Sequence, residues 1–109
     1  MEWQQLENSE QLEEILSSEK PTLIFKHSTR CHISSMALSG FKRSWSVSSE
    51  NCSIYLLDLI AFRELSNEIA DRTGVVHQSP QIILVKNGAV LHSASHHGID
   101  SNETEAKLA

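Results

Sequence analysis

The sequence predicts an α/β domain, a central mixed four-stranded sheet flanked by helices. Three observations predict it. Segments with apolar residues at helical spacing alternate with short β-rich runs, and an Asn-Gly pair joins the last two runs as a hairpin. The 109 residues, 39% apolar and 21% charged, suit one domain spanning 1–109. Such a chain buries roughly 65% of the surface it exposes when unfolded, enough for a modest sheet without metals or disulfides and too little for a large catalytic cavity.

Leu6, Leu12, Ile15 and Leu16 recur at helical spacing, and Asn8 with Gln11 forms a capping pair, so a first helix is expected to end before Pro21. Thr22-Leu23-Ile24-Phe25-Lys26-His27 lacks the polar alternation of a half-exposed strand and reads as a central one. After Cys31, the residues Ile33, Ala37 and Phe41 fall at i, i+4 and i+8 with Met36 beside them, one apolar stripe of a helix that begins at Cys31. The serine-rich segment 46–53 reads as a loop, and Ile54-Tyr55-Leu56-Leu57-Asp58-Leu59 as a second buried strand in which Asp58 is the odd residue. Phe62, Leu65 and Ile69 share one face of a third helix, with Gly74 just past its end, where a left-handed cap is cheap. Segments 81–86 and 89–95 flank Asn87-Gly88, which supplies the positive φ angles of a type I′ turn and makes the two strands antiparallel neighbours. Asp100 with Glu103 caps a short closing helix through Leu108. The order α-β-α-β-α-β-β-α, with a crossover helix between parallel strands and a terminal hairpin, is thioredoxin-like.

Nine Lys and Arg against fourteen Asp and Glu give a net charge of −5, with a pI near 5.6. A field of this sign repels phosphate backbones and anionic membranes, so nucleic acid and membrane partners are not expected. The first residues lack the basic and apolar regions of a signal peptide, and the longest apolar runs, of about four residues, fall far short of the roughly 20 that span a bilayer. The expected location is cytoplasmic. In that reducing compartment the two cysteines, Cys31 and Cys52, start as free thiols.

Cys31 has two readings: a small residue at a helix start, or a nucleophile at the carboxyl end of the central strand, where open α/β sheets place their chemistry. The position favours the second, since unpaired backbone N–H groups and the positive end of the helix macrodipole favour a thiolate there. Arg30, a cation, and His32, a titratable group, flank the thiol and can add to the same effect. The fourth position of Cys31-His32-Ile33-Ser34 is serine, so an internal disulfide cannot close after attack on a substrate, and any mixed disulfide waits for an outside thiol. Cys52 reads as structural, because at the start of a parallel strand it lies roughly 15 Å or more from Cys31, beyond the reach of about 7 Å between Cα atoms that a disulfide needs.

Ser79-Pro80 directly precedes a strand, where proline is either a plain strand start or a cis residue that turns the Ser79 backbone toward Cys31, free to pair with an extended substrate. Six histidines, at positions 27, 32, 77, 92, 96 and 97, match no metal-site spacing with the cysteines, so no metal is expected. No Gly-rich phosphate loop, no Ser-centred elbow and no paired catalytic carboxylates are present.

With these residues in place the chain resembles the monothiol bacilliredoxins of the bacillithiol redox system. The matching stretches are Phe25-Lys26-His27-Ser28-Thr29-Arg30-Cys31, Ile33-Ser34, Arg63-Glu64-Leu65-Ser66-Asn67-Glu68-Ile69-Ala70, His77-Gln78-Ser79-Pro80-Gln81 and Ser95-His96. The family motif is usually Cys-Pro-Ile-Ser, and here His32 replaces the proline; His97-Gly98 likewise replaces a Trp-like position. The resemblance implies a thioredoxin fold with Cys31 as redox nucleophile and Ser79-Pro80 as the cis-proline element beside it. It implies removal of bacillithiol, a small anionic sugar-linked thiol, from S-bacillithiolated client proteins, with bacillithiol as co-substrate and no tightly bound cofactor. Ser34 is then a candidate donor to the thiolate, Ser79 and Pro80 a backbone edge for the substrate, and Arg30 or Lys26, otherwise ordinary surface cations, attractants for the ligand's carboxylates. Two rival readings remain: a binding module that holds a ligand or Fe–S cluster on Cys31 without turnover, although the Cys-Gly-Phe-Ser motif of cluster-holding glutaredoxins is absent, and a redox-inert scaffold.

Overall fold

In a computed structural model, residues 3–108 are described; Met1, Glu2 and Ala109, the ends of the expected 1–109 domain, lie outside the described residues. The elements run β1 (Trp3–Gln5), α1 (Ser9–Ser17), β2 (Thr22–His27), α2 (His32–Ser44), β3 (Ser53–Asp58), α3 (Arg63–Thr73), β4 (Gln81–Lys86), β5 (Ala89–Ser95), a 3₁₀ turn (His96–Gly98) and α4 (Ser101–Ala106). The α/β class and mixed sheet are as expected, but the sheet has five strands rather than four, in the order β1-β3-β2-β4-β5. The extra strand, β1, pairs parallel with β3 through Trp3, Gln4 and Gln5. Three residues at a sheet edge, two of them exposed, carry no apolar alternation, and Leu6 belongs to this strand's exit, its N–H donating to Leu56 O at 2.9 Å, rather than to the first helix.

All six residues of β2 are buried, because the strand is central and covered on both faces. It runs parallel to β3 and antiparallel to β4, in registers that place His27 beside Asp58 and Lys26 beside Gln81. Alternation along β2 sends Ile24 to one face with Leu12, Ile15, Leu65 and Ile69, and Leu23 and Phe25 to the other with Phe41, Trp45 and Cys52. Fully burying each such side chain contributes about 1.5–3 kcal/mol. On the second face Phe25 meets Phe41 edge-on at 5.7 Å between centroids, and Phe41 stacks on Trp45 at 5.2 Å, which anchors α2 over the sheet.

Local signals act as expected at most boundaries. Asn8 and Gln11 form a reciprocal capping box on α1, and Gly74, at φ +77°, ends α3 in the left-handed region. Asn87 and Gly88 both have positive φ in the hairpin, and a β-carbon on Gly88 would also press on Leu16 O at 3.3 Å. Asp58 is explained by its turn, since its Oδ1 accepts from the N–H groups of Ile60 and Ala61. Asp100 caps α4, which stops at Ala106, short of Leu108.

The apolar stripe expected on α2 is corrected at its start. Phe41 is buried and Ala37 half-buried, but Ile33 and Met36 are 53% and 61% exposed. The first turn of α2 overhangs the end of the sheet, and there Ser34, not Ile33, faces inward. No helix among the described residues is long and apolar enough to cross a membrane.

Candidate active site

At the carboxyl end of β2 the chain turns through residues 28–31 into α2. The Cys31 N–H donates to Ser28 O at 3.2 Å and Cys31 O accepts from the Ser35 N–H at 3.0 Å, which makes Cys31 the N-cap of α2. A serine or aspartate there would accept from the first-turn N–H groups, yet the Cys31 side chain makes no capping bond. The half-buried thiol thus stands at the positive end of a 13-residue helix, where negative charge is favoured. Arg30 and His32 on either side are exposed to solvent.

Beneath the thiol, Ser34 is fully buried, its Oγ 2.7 Å from His27 Nδ1 and 3.0 Å from the Ser28 N–H, which donates to it. These are the bonds Ser34 makes, in place of the expected one to Cys31. Burial pushes His27 below the ordinary histidine range, Asp58 pulls it back up, and Lys42 adds to the lowering.

On the other face, Lys26 is 0% exposed, which corrects its reading as a surface cation. From the fifth position of β2, between β4 and α3, its Nζ donates to Ser66 O at 3.1 Å and lies 3.3 Å from His77 Nδ1. An ammonium can only donate, so Nδ1 of His77 accepts and the ring proton sits on Nε2. Burial pushes the Lys26 amine down to about 8, and His77 is lowered by burial, then by Lys26 and Arg63.

This buried amine fixes the segment before β4. Lys26 holds His77, Gln81 Nε2 donates to Val76 O at 2.9 Å, and the Gln78 N–H donates to Gln81 Oε1 at 3.4 Å. The segment ends in Ser79-Pro80, whose peptide bond is cis, and Pro80 O accepts from the His96 N–H at 3.0 Å. Because β4 is antiparallel to β2 with Gln81 beside Lys26, Ser79 and Pro80 lie at the same end of the sheet as Cys31. Ser79 Oγ is buried with no hydrogen-bond partner. Around this end Ile33, Met36 and Val76, the last 77% exposed, form an apolar rim. A groove of about 320 Å³ runs between α2 and the 3₁₀ turn, lined by Ile33, Met36, Ala37, His96, His97 and Ile99.

Cys52 lies at the far end, just before β3, whose Ser53 pairs with Thr22 at the start of β2. It is fully buried, and burial pushes its thiol up to about 11. Among the described residues no group of three or more His, Cys, Asp or Glu is placed to hold a metal ion. Sequence reasoning missed the His27–Ser34 pair and the Lys26–Ser66–His77 cluster. The available signal was a basic residue pair inside an otherwise apolar central strand, where a buried polar group requires partners.

A five-stranded mixed sheet with one half-buried cysteine capping the helix after its central strand, and serine three residues on, defines a single-thiol protein of the thioredoxin-fold class. Solved structures agree on the fold. A candidate oxidoreductase with a thioredoxin fold matches with a TM-score of 0.84 at 27% identity, over 98% of this chain and 94% of that one. The Malassezia sympodialis thioredoxin Mala s 13 matches with 0.76 at 18% identity, over 98% and 88%. Fasciola hepatica thioredoxin matches with 0.72 at 11% identity, over 96% and 95%. The family described as Monothiol bacilliredoxin BrxC matches residues 4–104, and the chain belongs to that family. Family and fold together support a redox function.

Proposed function

We propose that the protein is a monothiol thiol-disulfide oxidoreductase that removes bacillithiol from S-bacillithiolated proteins in the cytoplasm, with Cys31 as its nucleophile. The observation that carries the reading is Cys31 itself: a half-buried thiol at a helix N-cap, spending its sulfur on no capping bond, with serine where a second thiol would resolve it. The Cys31 thiolate attacks the bacillithiol sulfur of the client's mixed disulfide. The S–S bond breaks, its electron pair leaves on the client sulfur, and the client is recovered as a free thiol while bacillithiol stays on Cys31. A second bacillithiol thiolate then attacks the held bacillithiol sulfur, which expels the Cys31 thiolate and yields bacillithiol disulfide.

The other expected site residues take supporting parts in this reading. The Ser79-Pro80 backbone orients the bound disulfide, the apolar rim of Ile33, Met36 and Val76 excludes water from the exchanging sulfurs, and Arg30 with His32 faces the anionic groups of the ligand. Lys26, buried on the opposite face, has no direct part in ligand attraction. Intact mass spectrometry of the reduced protein mixed with a bacillithiolated client tests the proposal. A bacillithiol-sized adduct on Cys31 with release of reduced client is expected, and Cys31→Ala should form none. An unmodified Cys31 beside an intact client would overturn the assignment.

A further inference from the structure

We infer that an extended apolar segment of the client polypeptide docks in a channel along α2, which opens beside Cys31 and ends at Ser44. The partner's identity as a protein thiol rests on the thiol-exchange reading above. The groove between α2 and the 3₁₀ turn continues past that turn. A second hollow of about 260 Å³, between α2 and the start of α4, reaches Gly40, Ser44 and Ser101 and shares Met36, Ala37 and Ile99 with the first. The two form one channel. Ile33, Met36, Ala37, Gly40 and Ser44 recur at helical spacing and make its α2 wall. From Ile33 to Ser44 that wall is about 16 Å long, at roughly 1.5 Å per residue, which matches about five residues of extended chain.

The channel is continuous with the site. Ile33 lies two positions after Cys31, in the first turn of α2. On the opposite wall the His96 N–H donates to Pro80 O at 3.0 Å, so that wall starts from the cis-proline segment. At the far end Ser101 Oγ donates to Ser44 Oγ at 2.6 Å and fastens α4 to α2. The fold itself does not call for the opening. Ile33 and Met36 are left more than half exposed on a helix that buries Phe41. Gly40 weakens the helix interior relative to alanine, yet a β-carbon there would meet nothing closer than the flexible end of Arg43, Nη2 at 3.8 Å. The side chain it lacks leaves the middle of the channel free. The walls also select the occupant. Ile33, Met36, Ala37 and Ile99 suit aliphatic side chains rather than the anionic sugar of bacillithiol. A slot one chain wide is far smaller than the roughly 800 Å² per partner that a stable dimer buries, so a second copy of this chain does not fit the role.

The test compares the peptide Ala-Leu-Ala-Cys-Ala-Leu-Ala, its cysteine carried as the 2-thiopyridyl disulfide, with the same disulfide of N-acetylcysteine amide. The Cys31 thiolate attacks the cysteine sulfur, the S–S bond breaks, and its electron pair leaves as pyridine-2-thiolate, whose absorbance gives the rate. No bacillithiol takes part, so failure of the bacillithiol assay and failure of this inference are separable. The ratio of the two rates within one protein cancels any change in the thiol itself. For wild type it should be about tenfold in favour of the peptide, the effect of partly burying leucine side chains, and a peptide with serine for leucine should lose most of that gain. Gly40→Leu puts a side chain into the channel and should bring the ratio to within about twofold of one. A wild-type ratio near one, a ratio that Gly40→Leu leaves unchanged, or one that falls as the protein is concentrated, the sign of a second copy in the channel, overturns the inference. Should Gly40→Leu fail to fold, ¹⁵N NMR of wild type with the unreactive serine-for-cysteine peptide decides: amide shifts along 33–44 and 96–101 are expected, and their absence overturns it.

Discussion

The two cysteines occupy opposite ends of one sheet, and their surroundings differ in kind. Cys52, before β3, is enclosed by Leu23, Ile54, Trp45 and Leu84, an apolar cluster in which burial holds the thiol protonated. Around Cys31 the buried groups are Lys26, His27, Ser34, Ser66 and Gln81, most of the buried polar side chains of the described residues. Apolar enclosure at one end keeps a thiol inert at little cost to stability, while the other end gives up stability to hold a lysine and a histidine out of water. The buried polar groups at that end hold the surrounding loop and helix start in place.

The largest expected effect is on reactivity. With its pKa raised to about 11, Cys52 is thiolate in roughly one molecule in 3,000 at pH 7.5, before its complete burial is counted. Native alkylation followed by peptide mapping should therefore label Cys31 at least about a thousandfold faster than Cys52. Comparable rates would break the contrast between the two ends.

The second effect is on stability. The folded-state pKa of Lys26, about 8, lies below its ordinary 10.5, so between those values the unfolded chain binds more protons and folding gains stability as pH rises. Below pH 8 the full penalty of the buried charge is present. Lys26→Met removes the amine, and its stability relative to wild type should fall by about 2–3 kcal/mol between pH 7 and pH 10.5, read by urea denaturation. Parallel pH curves for the two chains would show that Lys26 is not held as a buried titrating amine. The same variant frees His77 and hence the segment before Pro80, so exchange should slow even where the variant is the more stable protein.

Much of this arrangement was legible in the sequence. The capping box at Asn8, the hairpin at Asn87-Gly88, the cap at Gly74 and the helix start at Cys31 each rest on local chemistry, which does not depend on distant packing. What escaped is non-local. Strand β1 exists through its pairing with β3 rather than through any pattern of its own, and the 3₁₀ turn at His96–Gly98 follows from the approach of His96 to Pro80. Lys26 read as a surface cation because lysine usually is one; only the sheet order, with β2 between β3 and β4, leaves its amine no route to water. Ile33 and Met36 fit an apolar stripe by spacing, but periodicity cannot tell a face that meets the core from one that overhangs it.

The smallest effect sharpens the comparison from the inert end. Cys52→Ala removes one sulfur atom from a packed cluster and leaves every hydrogen bond at the Cys31 end untouched. Stability should drop by about 1 kcal/mol, the cost of a small cavity that its neighbours partly close. Exchange with a bacillithiolated client should run at the wild-type rate, because the two ends share the central strand but no polar contact. A stability loss with unchanged exchange separates packing from chemistry, as the two environments require. If exchange fell in step with stability, the two ends would be coupled through β2, and the inertness of Cys52 would no longer describe its role.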